Sequence, residues 1–392
     1  MTFTKQSRII NAMERMYFDH AATTPLDKEV LLAMTPYLTE CFGNADSPHS
    51  FGRNAMKAVD LSRDKIAELI GAKPNEIYFT SGGTESDNWA FMGGARAKRK
   101  EGKTRVVLSA IEHHALLFSA SELEKEGFEV VYLPVNTDGE VEETALQNAI
   151  NEKTAIVALM YVNNETGVMQ PVQKACELAH QHGALFFTDA VQAAPHLRLN
   201  VKDLGVDMLS FSGHKFYGPK GTGVLYIKNG TRVEKLIGGG EQERGMRGGT
   251  LNVAGIVGLA KAYEIAVRDM EINHEKIKNL SNLFLEKLQQ IDGVKTNGNR
   301  ANAIPSVVNI NLGVGNTAFL YNMDLRGVAL SAGSACASAS IKPSHVLTAM
   351  GLDETQAGQS VRFSFGKTNV EEEILRCAEW TKELVSSLKS QR

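Results

Sequence analysis

Leu209-Ser-Phe-Ser-Gly-His-Lys215-Phe-Tyr-Gly-Pro-Lys-Gly221 is a short apolar strand that runs straight into a turn. The turn offers a hydroxyl, an imidazole and one lysine, and a Gly/Pro-rich loop follows. A lysine at the end of a buried strand is costly as an ammonium, because low dielectric disfavours its charged form. Its neutral amine is a nucleophile suited to a Schiff base with an aldehyde cofactor. A lone lysine in this place is more often a surface residue. Here Asp189-Ala-Val-Gln192 lies one strand earlier, and together the two stretches suggest a pyridoxal phosphate site.

Outward from that stretch, strands and helices alternate for most of the first 230 residues, the pattern of βα units that build a mainly parallel sheet. Strands are expected at Glu76–Thr80, Arg105–Ser109, Val130–Val135, Ala155–Val162, Leu185–Asp189, Met208–Ser212 and Gly223–Ile227. Helical patterns lie between them at Ala115–Glu126, Glu142–Ile150 and Val172–His182. Several strands are apolar without alternation, which predicts burial on both faces. A glycine-rich loop, Gly238–Thr250, interrupts the pattern, and a long helical stretch then runs to about Ile291. A smaller α/β unit closes the chain, with strands near Val307–Leu312, Val328–Ser331 and Val361–Phe365 and a helix from about Val370. The expected division is a large domain over 17–260, whose first residues pack on the smaller one, and a C-terminal domain over 261–392. Residues 1–16 read as a disordered extension, with Met13-Glu-Arg-Met16 offering an alternative start.

The chain has 392 residues, 43% hydrophobic and 22% charged, which are ordinary values for a globular protein. A net charge of -3 argues against a basic nucleic-acid surface. The run Arg96-Ala-Lys-Arg-Lys100 is brief, sits at a helix end and reads as solvent-facing. No apolar stretch is long enough to span a bilayer, and the first twelve residues lack the apolar core of a secretory signal. Cys41, Cys176, Cys336 and Cys377 form no CxxC pair and no disulfide framework, as expected in a reducing cytoplasmic compartment. The His113-His114 pair suggests a metal, but no second ligand cluster has suitable spacing and His180 and His182, two apart on a helix, do not share a face, so no metal is expected.

Schiff-base chemistry needs an amine, a phosphate cradle, an anion for the pyridine nitrogen, a ring-stacking partner, a donor to the phenolic oxygen and a carboxylate anchor. Lys215 is the amine. Thr80-Ser-Gly-Gly-Thr84 follows a strand and opens a helix, so Gly83 and Thr84 can meet an anion at a helix N-terminus, and Ser212 and His214 can donate to the same phosphate. Taken alone, a Gly-Gly turn before a helix is common. Asp189 ends an apolar strand, where a pyridinium would be its partner, although an aspartate capping the next turn is an equal alternative. Gln192, three residues on, can reach the phenolic oxygen. His113 and Asn164 also follow strands, at the edge where α/β sheets bind ligands. Arg362, in a C-terminal strand, can grip an α-carboxylate with two N–H groups, though strand arginines are often structural. Cys336 sits among Ala, Gly and Ser with nothing nearby to pack it. An exposed thiol there makes sense if it attacks a substrate. Cys41, Cys176 and Cys377 read as inert core residues.

Taken together, these stretches resemble the cysteine desulfurases of the NifS/IscS type. These belong to the class V aminotransferase family, within the fold type I, aspartate aminotransferase-like pyridoxal phosphate enzymes. The similarity runs from Tyr17-Phe-Asp-His-Ala-Ala-Thr-Thr-Pro25 to Val361-Arg-Phe-Ser-Phe-Gly366 and beyond. Phe211-Ser-Gly-His-Lys-Phe-Tyr-Gly-Pro-Lys, Gly245-Met-Arg-Gly-Gly-Thr250 and Gly333-Ser-Ala-Cys336 are jointly specific. The resemblance implies an α/β fold with a mainly parallel seven-stranded sheet, the cofactor pyridoxal 5'-phosphate and the substrate L-cysteine. It implies Lys215 as the Schiff-base lysine, Cys336 as the persulfide-forming nucleophile, and His113 as ring stacker and acid/base group. Asp189 would meet the pyridine nitrogen, with Gln192 and Asn164 near the phenolic oxygen and substrate, and Arg362 on the substrate carboxylate. Gly83, Thr84, Ser212 and His214 would bind phosphate, and Thr250 would do so from a neighbouring subunit, which implies a homodimer. The sulfur would pass to an acceptor protein, an iron–sulfur scaffold or a tRNA-thiolation enzyme.

The segment around Cys336 resembles the long-loop group. Phe42-Gly-Asn-Ala-Asp-Ser-Pro-His49 departs from the family's usual Gly-Asn-Pro-Ser-Ser, a local change. The chain ends at Arg392, short of the tail with which IscS proteins engage the scaffold, which leaves a dedicated acceptor open. The rival readings are a selenocysteine lyase or another small-amino-acid enzyme of the same type. A non-enzymatic sulfur carrier fits less well, since no cofactor-site position is lost.

Overall fold

The computed structural model describes residues 15–333 and 343–390. The order begins with β1 (Met16–Tyr17), α1 (Lys28–Thr39), α2 (Ser50–Ile70), β2 (Ile77–Thr80), α3 (Gly83–Arg99), β3 (Arg105–Ser109), α4 (His114–Lys125) and β4 (Glu129–Leu133). It continues with α5 (Glu143–Ala149), β5 (Thr154–Ala158), α6 (Val172–Gln181), β6 (Leu185–Asp189), α7 (Val201–Leu204), β7 (Met208–Ser212), β8 (Gly223–Ile227) and α8 (Val253–Arg268). The rest is α9 (Met270–Leu288), β9 (Lys295–Asn297), β10 (Val307–Asn311), α10 (Asn316–Leu325), β11 (Val328–Ala329), α11 (His345–Ala349), α12 (Glu354–Ala357), β12 (Ser360–Ser364) and α13 (Glu371–Ser390).

Two compact units divide the chain. The larger comprises Thr23–Asn164 and Val168–Met270; the smaller takes the residues up to Ala22, Glu165–Gly167 and the chain from Glu271. The larger unit holds a seven-stranded sheet in the order β2-β8-β7-β6-β5-β3-β4. Only β8 runs against its neighbours β2 and β7. The segment between β7 and β8 is too short for a crossover helix, which a parallel return would require. β5, β6, β7 and β8 are buried along their whole length, as continuous apolar runs demand. Trp89 and Phe91 of α3, with Leu116, Ala120 and Leu123 of α4, pack against Val106, Ile156, Phe187 and Leu225.

The smaller unit has an antiparallel sheet ordered β12-β10-β9 and a two-stranded parallel pair, β1 with β11. Its core gathers Phe18, Phe284, Phe319, Phe363 and Phe365. Two expectations are corrected. The strand expected to reach Val162 stops at Ala158, because the chain folds back so that Val162 bridges Met169 and Asn163 N–H donates to Val168 O at 2.9 Å. The long helix expected to reach Ile291 breaks at Asp269, whose N–H caps the Ile265 carbonyl while its carboxylate pairs with Arg268.

Candidate active site

Apart from Thr250, which follows the oppositely directed β8, the candidate residues of the larger unit lie at or beyond the carboxyl ends of five like-directed strands: Gly83 and Thr84 after β2, His113 after β3, Asn164 after β5, Asp189 and Gln192 at and after β6, and Ser212, His214 and Lys215 at and after β7. The chain leaves β3 outward to β4 and leaves β5 the other way to β6, which makes β3/β5 the point where the winding reverses. Ligands of open α/β sheets bind at such a point. Asn163 Nδ2 donates to Ile111 O at 3.1 Å, tying the loop of Asn164 to that of His113.

Lys215 ends a short turn, Gly213–Lys215, at the tip of β7. Two threonines that the residue pattern did not single out pack this turn. Thr24 N–H and Oγ1 both donate to His214 O, at 3.0 and 2.9 Å, and Thr24 Oγ1 accepts Tyr217 N–H at 2.7 Å. Thr23 Oγ1 lies 3.1 Å from His214 Nδ1. Burial, followed by the nearby Lys215 and Lys220 charges, pushes His214 down to about 4, so its imidazole is neutral at pH 7. The buried Asp189 accepts Val191 N–H at 2.8 Å. Burial pushes its carboxyl up to about 6 against the pull of that hydrogen bond and of the Lys215 charge. Lys215 is therefore within electrostatic reach of Asp189.

The first turn of α3 makes the cradle. Its N-cap is Gly82, so no side chain caps the helix and its leading N–H groups are available to an anion. A Cβ on Gly83 would stand 2.8 Å from Val191 Cγ2, so any side chain there would have to displace Val191. Thr84 is exposed and Ser212 is buried behind the turn. Thr250 is exposed at the end of the glycine-rich loop.

His113 is the N-cap of α4, its Nδ1 accepting Ala115 N–H at 3.2 Å, which places the ring proton of the neutral form on Nε2. Gln192 is buried and Asn164 half-buried. Beneath these residues lie two acids that the sequence reading missed. Glu112 Oε1 accepts Ser109 Oγ at 2.7 Å and Met160 N–H at 2.8 Å, and burial first, then Asp189, pushes its carboxyl up to about 8. Asp87 Oδ1 accepts Ser210 Oγ at 2.6 Å and is raised for the same reasons. Asp87 stands four residues after Gly83, on the same helix face, and Glu112 adjoins His113; both signals were available.

In the smaller unit Arg362 lies on β12, 1% exposed, and donates through Nη2 to Asp19 Oδ1 at 2.8 Å. Cys336 lies outside the described residues. Cys176 and Cys377 are buried, but Cys41 is half-buried rather than core, since it follows the exposed end of α1.

The family model for class-V aminotransferases matches residues 16–377. The chain belongs to the aminotransferase class-V family. Within it, this class-V chain falls among the NifS/IscS-type cysteine desulfurases. It is 46% identical to the cysteine desulfurase IscS of Clostridium botulinum, over 92% of each chain. To the cysteine desulfurase IscS of Methanosarcina thermophila it is 44% identical, over 96% of this chain and 93% of the relative. A solved NifS-like protein superposes with a TM-score of 0.90 at 35% identity, covering 96% of this chain and all of the other. SspA in complex with cysteine gives a TM-score of 0.80 at 36% identity, covering 91% of this chain and 100% of that one.

Proposed function

We propose that this class-V protein binds pyridoxal 5'-phosphate and takes the sulfur of L-cysteine onto Cys336, leaving L-alanine. The carrying observation is Lys215 within electrostatic reach of a buried Asp189 at the tips of adjacent strands, beside an uncapped helix N-terminus. The residues present suit that cofactor: Gly83, Thr84 and the leading α3 amides, with Ser212 and the neutral His214, for its phosphate, and Asp189 for its pyridine nitrogen. When bound, the cofactor supplies an electron sink for the substrate's α-carbon.

The chain's own groups do the rest. Lys215 Nζ anchors the cofactor and moves the α-proton. His113, held through Nδ1, would stack on the cofactor ring and has its Nε2 proton to give. Gln192 and Asn164 orient the phenolic oxygen and the substrate, and Arg362, aligned by Asp19, binds the substrate carboxylate. The Cys336 thiolate takes the sulfur, so that cysteine and thiol become alanine and persulfide with all atoms kept. Thr250 reaches the phosphate of a neighbouring subunit in a homodimer, the persulfide passes to an iron–sulfur scaffold or a tRNA-thiolation enzyme, and the work is done in the cytoplasm. Among the described residues no helix is long and apolar enough to cross a membrane.

Mass spectrometry tests this reading. Incubation with L-cysteine should add one sulfur atom to the peptide carrying Cys336. Cys336→Ala should keep the cofactor's visible band and release almost no alanine, while Lys215→Ala should lose that band. Full turnover by Cys336→Ala refutes the reading, and comparison with selenocysteine and with keto acids separates its rivals.

A further inference from the structure

Glu165 follows Asn164 in sequence, but its carboxylate is engaged elsewhere. It is buried, and Glu165–Gly167 pack with the smaller unit. Asn309 Nδ2 donates to Glu165 O at 3.2 Å, and Gly167 O accepts Ile304 N–H at 2.9 Å. Ser344 Oγ donates to Glu165 Oε2 at 2.5 Å, and the same hydroxyl accepts Leu347 N–H at 3.2 Å as the N-cap of α11. On the carboxylate's other flank lies Gly333, where a Cβ would stand 3.1 Å from Oε2. Gly333 is itself tied down, since its carbonyl accepts Ser331 Oγ at 2.8 Å and Ser331 O accepts Arg362 N–H at 2.7 Å.

One buried side chain thus meets Gly333 and Ser344, the two ends between which Cys336 lies. A plain helix-capping role does not account for it, because Ser344 already caps α11 with its own hydroxyl. We infer that Glu165 is a positioning residue for sulfur transfer: its carboxylate bonds Ser344 and lies against Gly333, the described residues on either side of the stretch of sequence that bears Cys336. This rests on the reading of Cys336 as the sulfur acceptor.

The test uses the full-length, cofactor-loaded protein with Glu165→Ala, Glu165→Gln and Ser344→Ala, the last two removing little enough to fold. Amide hydrogen exchange at Ser331–Gly333 and Ser344–Leu347, measured without cysteine, should speed up in Glu165→Ala and Ser344→Ala. The strands β5, β6 and β7 should be unaffected. Sulfur gain at Cys336 in a single turnover should slow by about tenfold to a hundredfold, as for a misplaced reacting group, with the cofactor band unchanged. Glu165→Gln, which keeps an acceptor for Ser344, should fall between. Unchanged exchange at both ends overturns the inference, and so does faster exchange with an undiminished rate of sulfur gain. Absence of sulfur gain in the unsubstituted protein is a different result: it sinks the acceptor reading, and this inference with it.

Discussion

Asp87, Glu112 and Asp189 are buried acids within electrostatic reach of one another, and of the three it is Asp189 that Lys215 pulls toward ionisation. Glu112 therefore keeps its proton in the fold. The unfolded chain releases that proton at about 4.5, the folded protein only at about 8. The unfolded state thus binds fewer protons across that window, and stability falls as pH rises through it, by about 3 kcal/mol at pH 7. Glu112→Gln keeps an oxygen for Ser109 and Met160 N–H but has no proton to lose. Its melting temperature should gain on that of the parent between about pH 5 and about pH 8, while the two converge in acid. A constant difference across that range would show that Glu112 is ionised in the fold. Asp189 was legible in the sequence because it ends an apolar strand one unit before Lys215. Asp87 and Glu112 were signalled by position alone, four residues after Gly83 and beside His113, while their partners Ser210 and Met160 are brought to them by the sheet order.

At the scale of elements, the glycine-rich loop owes its shape to side chains from α2 and β2. Glu243 and Arg244 both have left-handed backbones, at φ 47° and 59°, a cost of order 1–3 kcal/mol each for non-glycine residues. Glu243 receives two hydrogen bonds from Arg63, at 2.6 and 2.9 Å, and one from Phe79 N–H at 2.9 Å. Arg244 stacks 4.0 Å from the Tyr78 ring centre, and Arg63 and Arg244 both donate to Ile77 O. β2 is an edge strand, and these contacts satisfy the Ile77 and Phe79 backbone groups that would otherwise be left open. Glu243→Ala leaves the Arg63 charge buried and unpaired, so a loss of about 3–5 kcal/mol is expected in urea unfolding. Arg63→Met combined with Glu243→Leu should lose less than Glu243→Ala alone; simple addition of the single effects would remove the pair from the account. None of this was legible, because a buttress between residues so far apart leaves no periodic trace. The sheet strands were legible, since an apolar run bounded by turn residues is a local signal. The two-residue strand β1 was not, being too short to show a period, whereas its partner β11 was expected as the start of Val328–Ser331 and ends two residues earlier.

For the molecule as a whole, the two units should answer acid differently. In the smaller unit His20 is buried, set edge-on to Tyr17 at 4.9 Å, and burial pushes it down to about 4 against the hydrogen bonds that favour its charged form. The unfolded chain takes up this proton at about 6.5, so stability is fully present above that pH and is lost as pH falls toward 4. Between pH 7 and pH 5 the loss is about 2 kcal/mol. The larger unit carries His214, with the same sign, but also Glu112 and Asp189, whose raised values make acid stabilising over the same range. Acidification to about pH 5 should therefore open the smaller unit first, seen as faster amide exchange in β10, β12 and α13 while β3, β6 and β7 stay protected. His20→Gln, which cannot titrate, should abolish that selective opening. If the smaller unit keeps its protection at pH 5, or if His20→Gln still loses it, then the neutral imidazole at position 20 does not set the acid limit of this fold.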